Sequence, residues 1–104
     1  MQNRAELRGG KMFLPATCRA RGATVEVDVL DLSAAGCMVF IDAWPLRIDD
    51  RVLIKLPGLA DRPSAVRWVN EKTAGFEFDQ PLYAPVLDHL VASARRAAAI
   101  RSDG

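Results

Sequence analysis

Two small groups of polar residues carry most of the chemistry that this chain could do. The first is Arg4-Ala5-Glu6-Leu7-Arg8, which sets two guanidinium groups four positions apart. Such a pair can grip an anion, because each planar guanidinium offers a fork of donors matched to phosphate or carboxylate. The second is Asp31-Leu32-Ser33-Ala34-Ala35-Gly36, a D-x-S-x-x-G at the end of an apolar run. It supplies a carboxylate acceptor, a short hydroxyl, and a glycine that permits an unusual backbone angle or a close approach of a ligand to main chain. Each group also has a plain reading. Arginines in a polar segment are commonly solvated charge, and D-x-S-x-x-G can be an Asx- or Ser-type turn with Gly36 at positive φ.

Other side chains offer less. Cys18 and Cys37 stand in strand-like segments, outside any C-x-x-C, and read as buried free thiols rather than a disulfide or metal site. His89 is the only histidine, which excludes a multi-histidine metal centre, and it reads as a partly exposed helical residue. No nucleophile–base pair, metal cluster or phosphate-cradling loop is evident, so the expected class is a binding protein, not an enzyme, with no cofactor.

The elements that must position these groups follow from hydropathy. Residues 1–10 are polar and end in Gly9-Gly10, which predicts a flexible arm ahead of a single domain spanning 11–104. Thr24-Val25-Glu26-Val27-Asp28-Val29 alternates with period two, which predicts a strand with its valines inward. Leu30 breaks that alternation, so a bulge or a change of face is expected just before Asp31. Pro15 predicts an edge position, a strand start or a bulge in the preceding strand. Further short strands are read at 36–41, 51–56, 64–69 and 75–78, with turns at Arg21-Gly22-Ala23, Pro57-Gly58 and 70–73. Val86, Leu87, Leu90, Val91 and Ala94 then recur at helical spacing, with Pro85 in the first turn, predicting one amphipathic helix over about residues 83–100. The sum is an all-β fold, a small antiparallel barrel or sandwich closed by a C-terminal helix.

Charge narrows the partners. The net charge is +1, but residues 1–21 hold five Lys/Arg against one acidic residue, and residues 22–94 hold six against eleven. An acidic body with a basic arm would repel a long phosphate backbone, so DNA and RNA are not expected partners, yet it could hold a small anion. A single-strand-binding barrel would need a basic groove with several exposed aromatics, and the aromatic share is only 7%. No apolar run reaches the roughly 20 residues of a membrane span. Residues 1–6 also lack the apolar stretch of a signal peptide, so a cytoplasmic location is expected.

In their order, and with a strand between them, R-x-x-x-R and D-x-S-x-x-G resemble the two-part ligand signature of the PilZ family. Phe13-Leu14-Pro15-Ala16 is similar to that family's first strand, and the stretch from Pro45 to Val52 to its segment entering the next long strand. Ala65-Val66-Arg67-Trp68-Val69 and Gly75-Phe76-Glu77-Phe78 look like its final strand pair. The resemblance implies a six-stranded antiparallel β-barrel (a split barrel) with a C-terminal α-helix, and a receptor for the bacterial second messenger cyclic di-GMP. It implies that Arg4 and Arg8 grip phosphates and guanines while Asp31, Ser33 and Gly36 line a base pocket. It further implies an arm that orders on ligand binding and signals to a protein partner, in processes such as motility or biofilm control. The alternative is an interaction module that keeps the fold and does not use the nucleotide.

Trp68 completes the candidate ligand set, as an indole able to contact a base. Its shared strand parity with Val66 favours the core instead. Trp44, beside Pro45, is expected to plug a barrel end, and Lys11 to add a phosphate contact or simply begin a strand.

Overall fold

A computed structural model describes residues 14–41 and 45–103, with side chains as far as Arg96. Arg4, Arg8, Lys11 and Trp44, and with them the expected flexible arm, lie outside the described residues.

Six strands are present: β1 (Leu14–Ala20), β2 (Ala23–Leu32), β3 (Gly36–Phe40), β4 (Arg51–Lys55), β5 (Arg62–Asn70) and β6 (Thr73–Phe78). They close into an antiparallel barrel in the order β1-β2-β3-β6-β5-β4, followed by α1 (Ala84–Asp103). The expected six-stranded barrel with a C-terminal helix is therefore what the chain forms. Alternation explains most of it. Leu14, Ala16, Cys18 and Ala20 of β1 point inward and are buried, while Pro15 and Arg19 are exposed. Val29, Val39, Ile54, Leu56 and Val66 form the driest part of the core. Both cysteines are free and buried, and burial pushes each thiol up to about 12, so neither is a reactive thiolate at neutral pH.

Turn chemistry closes the strands as the sequence predicts. Arg21 (φ 55°) and Gly22 (φ 77°) are both left-handed, as a tight β1–β2 hairpin requires. In the Leu56–Leu59 turn, Pro57 precedes Gly58 (φ 78°), and the Leu59 amide donates to the Leu56 carbonyl at 3.1 Å. Pro15 is tolerated because β1 pairs with β4 only from Thr17 to Arg19, so its missing donor costs no ladder bond on that side.

The helix runs to Asp103 rather than ending near residue 100, since the alanines at 97–99 favour continuation. It buries Leu90 and Ala94 in the same core cluster as the barrel, with Val86, Leu87 and Val91 packed against it. The chain enters α1 from a segment stitched to the β2–β3 turn: Phe78 donates to the Ala35 carbonyl and Leu82 to that of Ala34, both at 2.8 Å. The D-x-S-x-x-G turn is thereby braced from the far end of the barrel sequence.

Candidate functional site

The site is built by two irregularities in otherwise regular ladders. In β2, Val29 pairs with Val39 but Asp31 pairs with Met38, so Leu30 is an extra residue. The bulge expected at Leu30 is present, and it turns Asp31 to the outer wall rather than the core. In β5, Val66 pairs with Phe76 but Trp68 pairs with Gly75, so Arg67 is a second extra residue. This bulge corrects the core placement favoured for Trp68. Parity with Val66 holds only in an unbroken strand, and the inserted residue carries Trp68 outward, where it is 39% exposed.

Both bulges fall in one cross-strand row. Asp31 pairs with Met38, Met38 with Gly75, and Gly75 with Trp68. Three strand spacings put the two ends of this row about 14 Å apart. The indole lies directly over Gly75: a Cβ there would overlap its Nε1 and Cε2 atoms. Gly75 thus forms a flat floor that seats the ring, a use of strand glycine that a larger residue would forbid. Asp31, Ser33, Gly36, Trp68, Arg67 and Glu77 all border the same open cavity of about 280 Å³.

Each predicted residue has a definite local setting. Asp31 is half-buried, and its Oδ1 accepts the Leu32 amide at 3.0 Å, while Oδ2 has no hydrogen-bond partner among the described residues. Ser33 organises the turn. Its Oγ accepts the amides of Ala35 and Gly36 at 3.3 Å, and its own amide donates to the Gly36 carbonyl at 2.9 Å. Gly36 is not in the left-handed region, so the positive φ entertained for it is corrected. It is required for space, since a Cβ would run into the Phe76 carbonyl of β6. Within the barrel, then, Gly36 admits a neighbouring strand, and the crowding comes from backbone.

Two site residues escaped the sequence reading. Arg67 Nε donates to Glu77 Oε1 at 2.6 Å, and its Nη1 donates to Asp49 Oδ1 at 3.1 Å. The Glu77 hydrogen bond, then its charge, then Asp49, hold Arg67 more firmly protonated than a free arginine. Asp49 itself sits at φ 75°, in a turn pinned by Asp50, whose carboxylate accepts the Arg47 amide at 2.9 Å and the Arg21 guanidinium at 2.9 and 3.0 Å. No local sequence signal marked this pair, because the β5 bulge that carries Arg67 and the placing of Glu77 beside it follow from the register of β6 on β5.

Chemically, among the described residues the wall offers an acceptor at Asp31, a π-face at Trp68 and one cation, Arg67, against two carboxylates, Asp31 and Glu77. It suits a planar heterocycle with donor edges. A multiply anionic ligand would need further cations from elsewhere in the chain. Among the described residues no group of three or more His, Cys, Asp or Glu could hold a metal ion. No described helix is long and apolar enough to cross a membrane.

A family model, the PilZ domain, matches residues 2–95. The match takes in Arg4 and Arg8 as well as the whole Asp31–Trp68 row. A search of curated proteins finds no match.

Proposed function

The chain belongs to the PilZ domain family, and on that premise we propose that it is a non-enzymatic cyclic di-GMP receptor. The observation that carries this reading is the row Asp31–Met38–Gly75–Trp68, aligned on the outer wall by two separate bulges. Guanine presents N1–H and N2–H₂ donors, for which Asp31 Oδ2, unpaired among the described residues, is a natural acceptor. A second face of the ligand stacks on the seated indole of Trp68, a contact of the kind worth about 1–3 kcal/mol. Ser33 and Gly36 shape the turn that presents Asp31.

The wall alone is too acidic for a ligand with two phosphodiesters. Arg4 and Arg8 supply the missing charge, with Arg forks that suit both phosphate and guanine O6/N7. Closure of the residues 1–10 arm over the wall changes the surface presented to a protein partner in the cytoplasm, and this is the signal. Ordering that arm costs roughly 1–2 kcal/mol per residue fixed, which keeps affinity modest.

An amide NMR titration with cyclic di-GMP tests the reading. Shifts are expected to concentrate at Asp31, Ser33, Gly75 and Trp68 and in residues 4–8. A flat titration sinks it. One observation favours the rival reading of an interaction module without nucleotide: Ser33 Oγ and Asp31 Oδ1 are already engaged in local turn bonds. The same flat titration would select that module.

A further inference from the structure

Arg67 is the residue that the β5 bulge adds, and only because of that bulge do Arg67 and Trp68 stand together on the outer wall. Arg67 borders the same cavity as Asp31, Ser33 and Trp68. Two carboxylates from different elements hold its guanidinium, Glu77 of β6 through Nε and Asp49 of the turn before β4 through Nη1. Its Nη2 makes no hydrogen bond among the described residues, and the side chain is 52% exposed. The group is therefore oriented without being covered. Neither ion pair accounts for this arrangement through stability, because exposed pairs contribute little.

Resting on the receptor reading above, we propose that Arg67 is a third, fixed phosphate-binding cation of the site. Its Nη2 edge meets a phosphodiester of the ligand, while Glu77 and Asp49 hold the rest of the guanidinium in place. Glu77 has a second effect. Its carboxylate faces an anionic ligand across the cavity, so the clamp that orients Arg67 also limits affinity. The wall is tuned by this one pair: the cation is pre-ordered, and the anion beside it keeps the receptor from saturating too easily.

Calorimetric titration of cyclic di-GMP into the wild type, Arg67→Gln, Arg67→Lys and Glu77→Gln, each at low and high salt, decides the matter. Arg67→Gln is expected to bind about ten-fold more weakly, with a shallower salt dependence, since one screened charge contact is gone. Arg67→Lys is expected to fall between, keeping the charge but losing the fork. Glu77→Gln is expected to bind about three-fold more tightly, because the amide oxygen still accepts from Nε while the negative charge is removed. Binding by Arg67→Gln within two-fold of wild type overturns the inference. So does weaker binding with an unchanged salt dependence, which would mark Arg67 as merely structural. Should Arg67→Gln fail to fold, the direction of the Glu77→Gln change decides alone, and weaker binding there overturns the proposal. A wild type that does not bind removes the receptor reading and this inference with it; a wild type that binds beside an unaltered Arg67→Gln removes only this one.

Discussion

Two of the depressions on the described surface of the barrel, one larger and one smaller, were made differently. The larger, about 550 Å³, is bordered by Pro15, Thr17, Glu26, Asp28, Phe40 and Lys55, together with the Pro57-Gly58 turn. It follows the β1–β2 ladder, whose register runs unbroken from Leu14–Val29 to Ala20–Ala23, and the seam where β1 and β4 pair over only three residues. The smaller, about 280 Å³, lies across β2, β3, β6 and β5, where two ladders break register. Volume favours the first, and convergent chemistry favours the second. A gap at a strand seam arises wherever pairing stops early. Two bulges that aim a carboxylate and an indole onto one row are harder to obtain, because each leaves a residue out of the ladder. Such departures from regularity are kept where they position something, which is why the smaller face is the better candidate site.

The strongest test of this contrast exchanges glycines. Gly36→Ala drives a Cβ into the Phe76 carbonyl, which is backbone and cannot swing aside, so a loss of about 3 kcal/mol is expected. Gly58→Ala, at the larger depression, meets open space and bears only the left-handed backbone cost, about 1 kcal/mol. Denaturant melts compare the two, and equal losses would mean that the smaller face is no more tightly built than the larger.

Next come the side chains. Asp31→Ala leaves ligand donors unmatched and should weaken cyclic di-GMP binding by about 2 kcal/mol, with Trp68→Ala close behind. Glu26→Ala and Phe40→Ala, on the larger face, should leave it within two-fold. Calorimetry with all four variants would reverse the assignment if the second pair mattered more.

The smallest effect concerns pH. The Arg47 amide first, then Arg21, hold the Asp50 carboxyl below its usual value. A folded pKa below the unfolded one gives stabilisation that is present above about pH 4 and lost as pH falls further. Asp50 steadies the turn that carries Asp49 and so reaches Arg67 on the smaller face. The wild type should therefore lose slightly more melting temperature between pH 5 and pH 3 than Asp50→Asn does. Identical slopes would remove this link.

Much of the barrel was legible in the chain. Period-two alternation in 24–29, the Pro57-Gly58 turn and the helical recurrence from Val86 to Ala94 are local patterns, and local patterns persist in the fold. The β2 bulge was legible too, because Leu30 follows Val29 directly and a charged Asp31 comes next, so strict alternation was already broken in the sequence. The β5 bulge was not. Val66-Arg67-Trp68 reads as faultless alternation, and nothing within that strand announces an extra residue.

What the sequence determined by itself was the barrel's inward and outward sets wherever alternation is unbroken, the turn positions, and the two motifs that suggest a nucleotide. What only the tertiary structure decided was the face that Trp68 takes, the pairing of Arg67 with Glu77 and Asp49, and the spatial reason for Gly36. Alternation belongs to one strand, but register belongs to a pair of strands. Phe76 had to enter the core opposite Val66, and Gly75 left room for an indole on the outside. Those demands come from β6, and they became visible only when β6 lay beside β5.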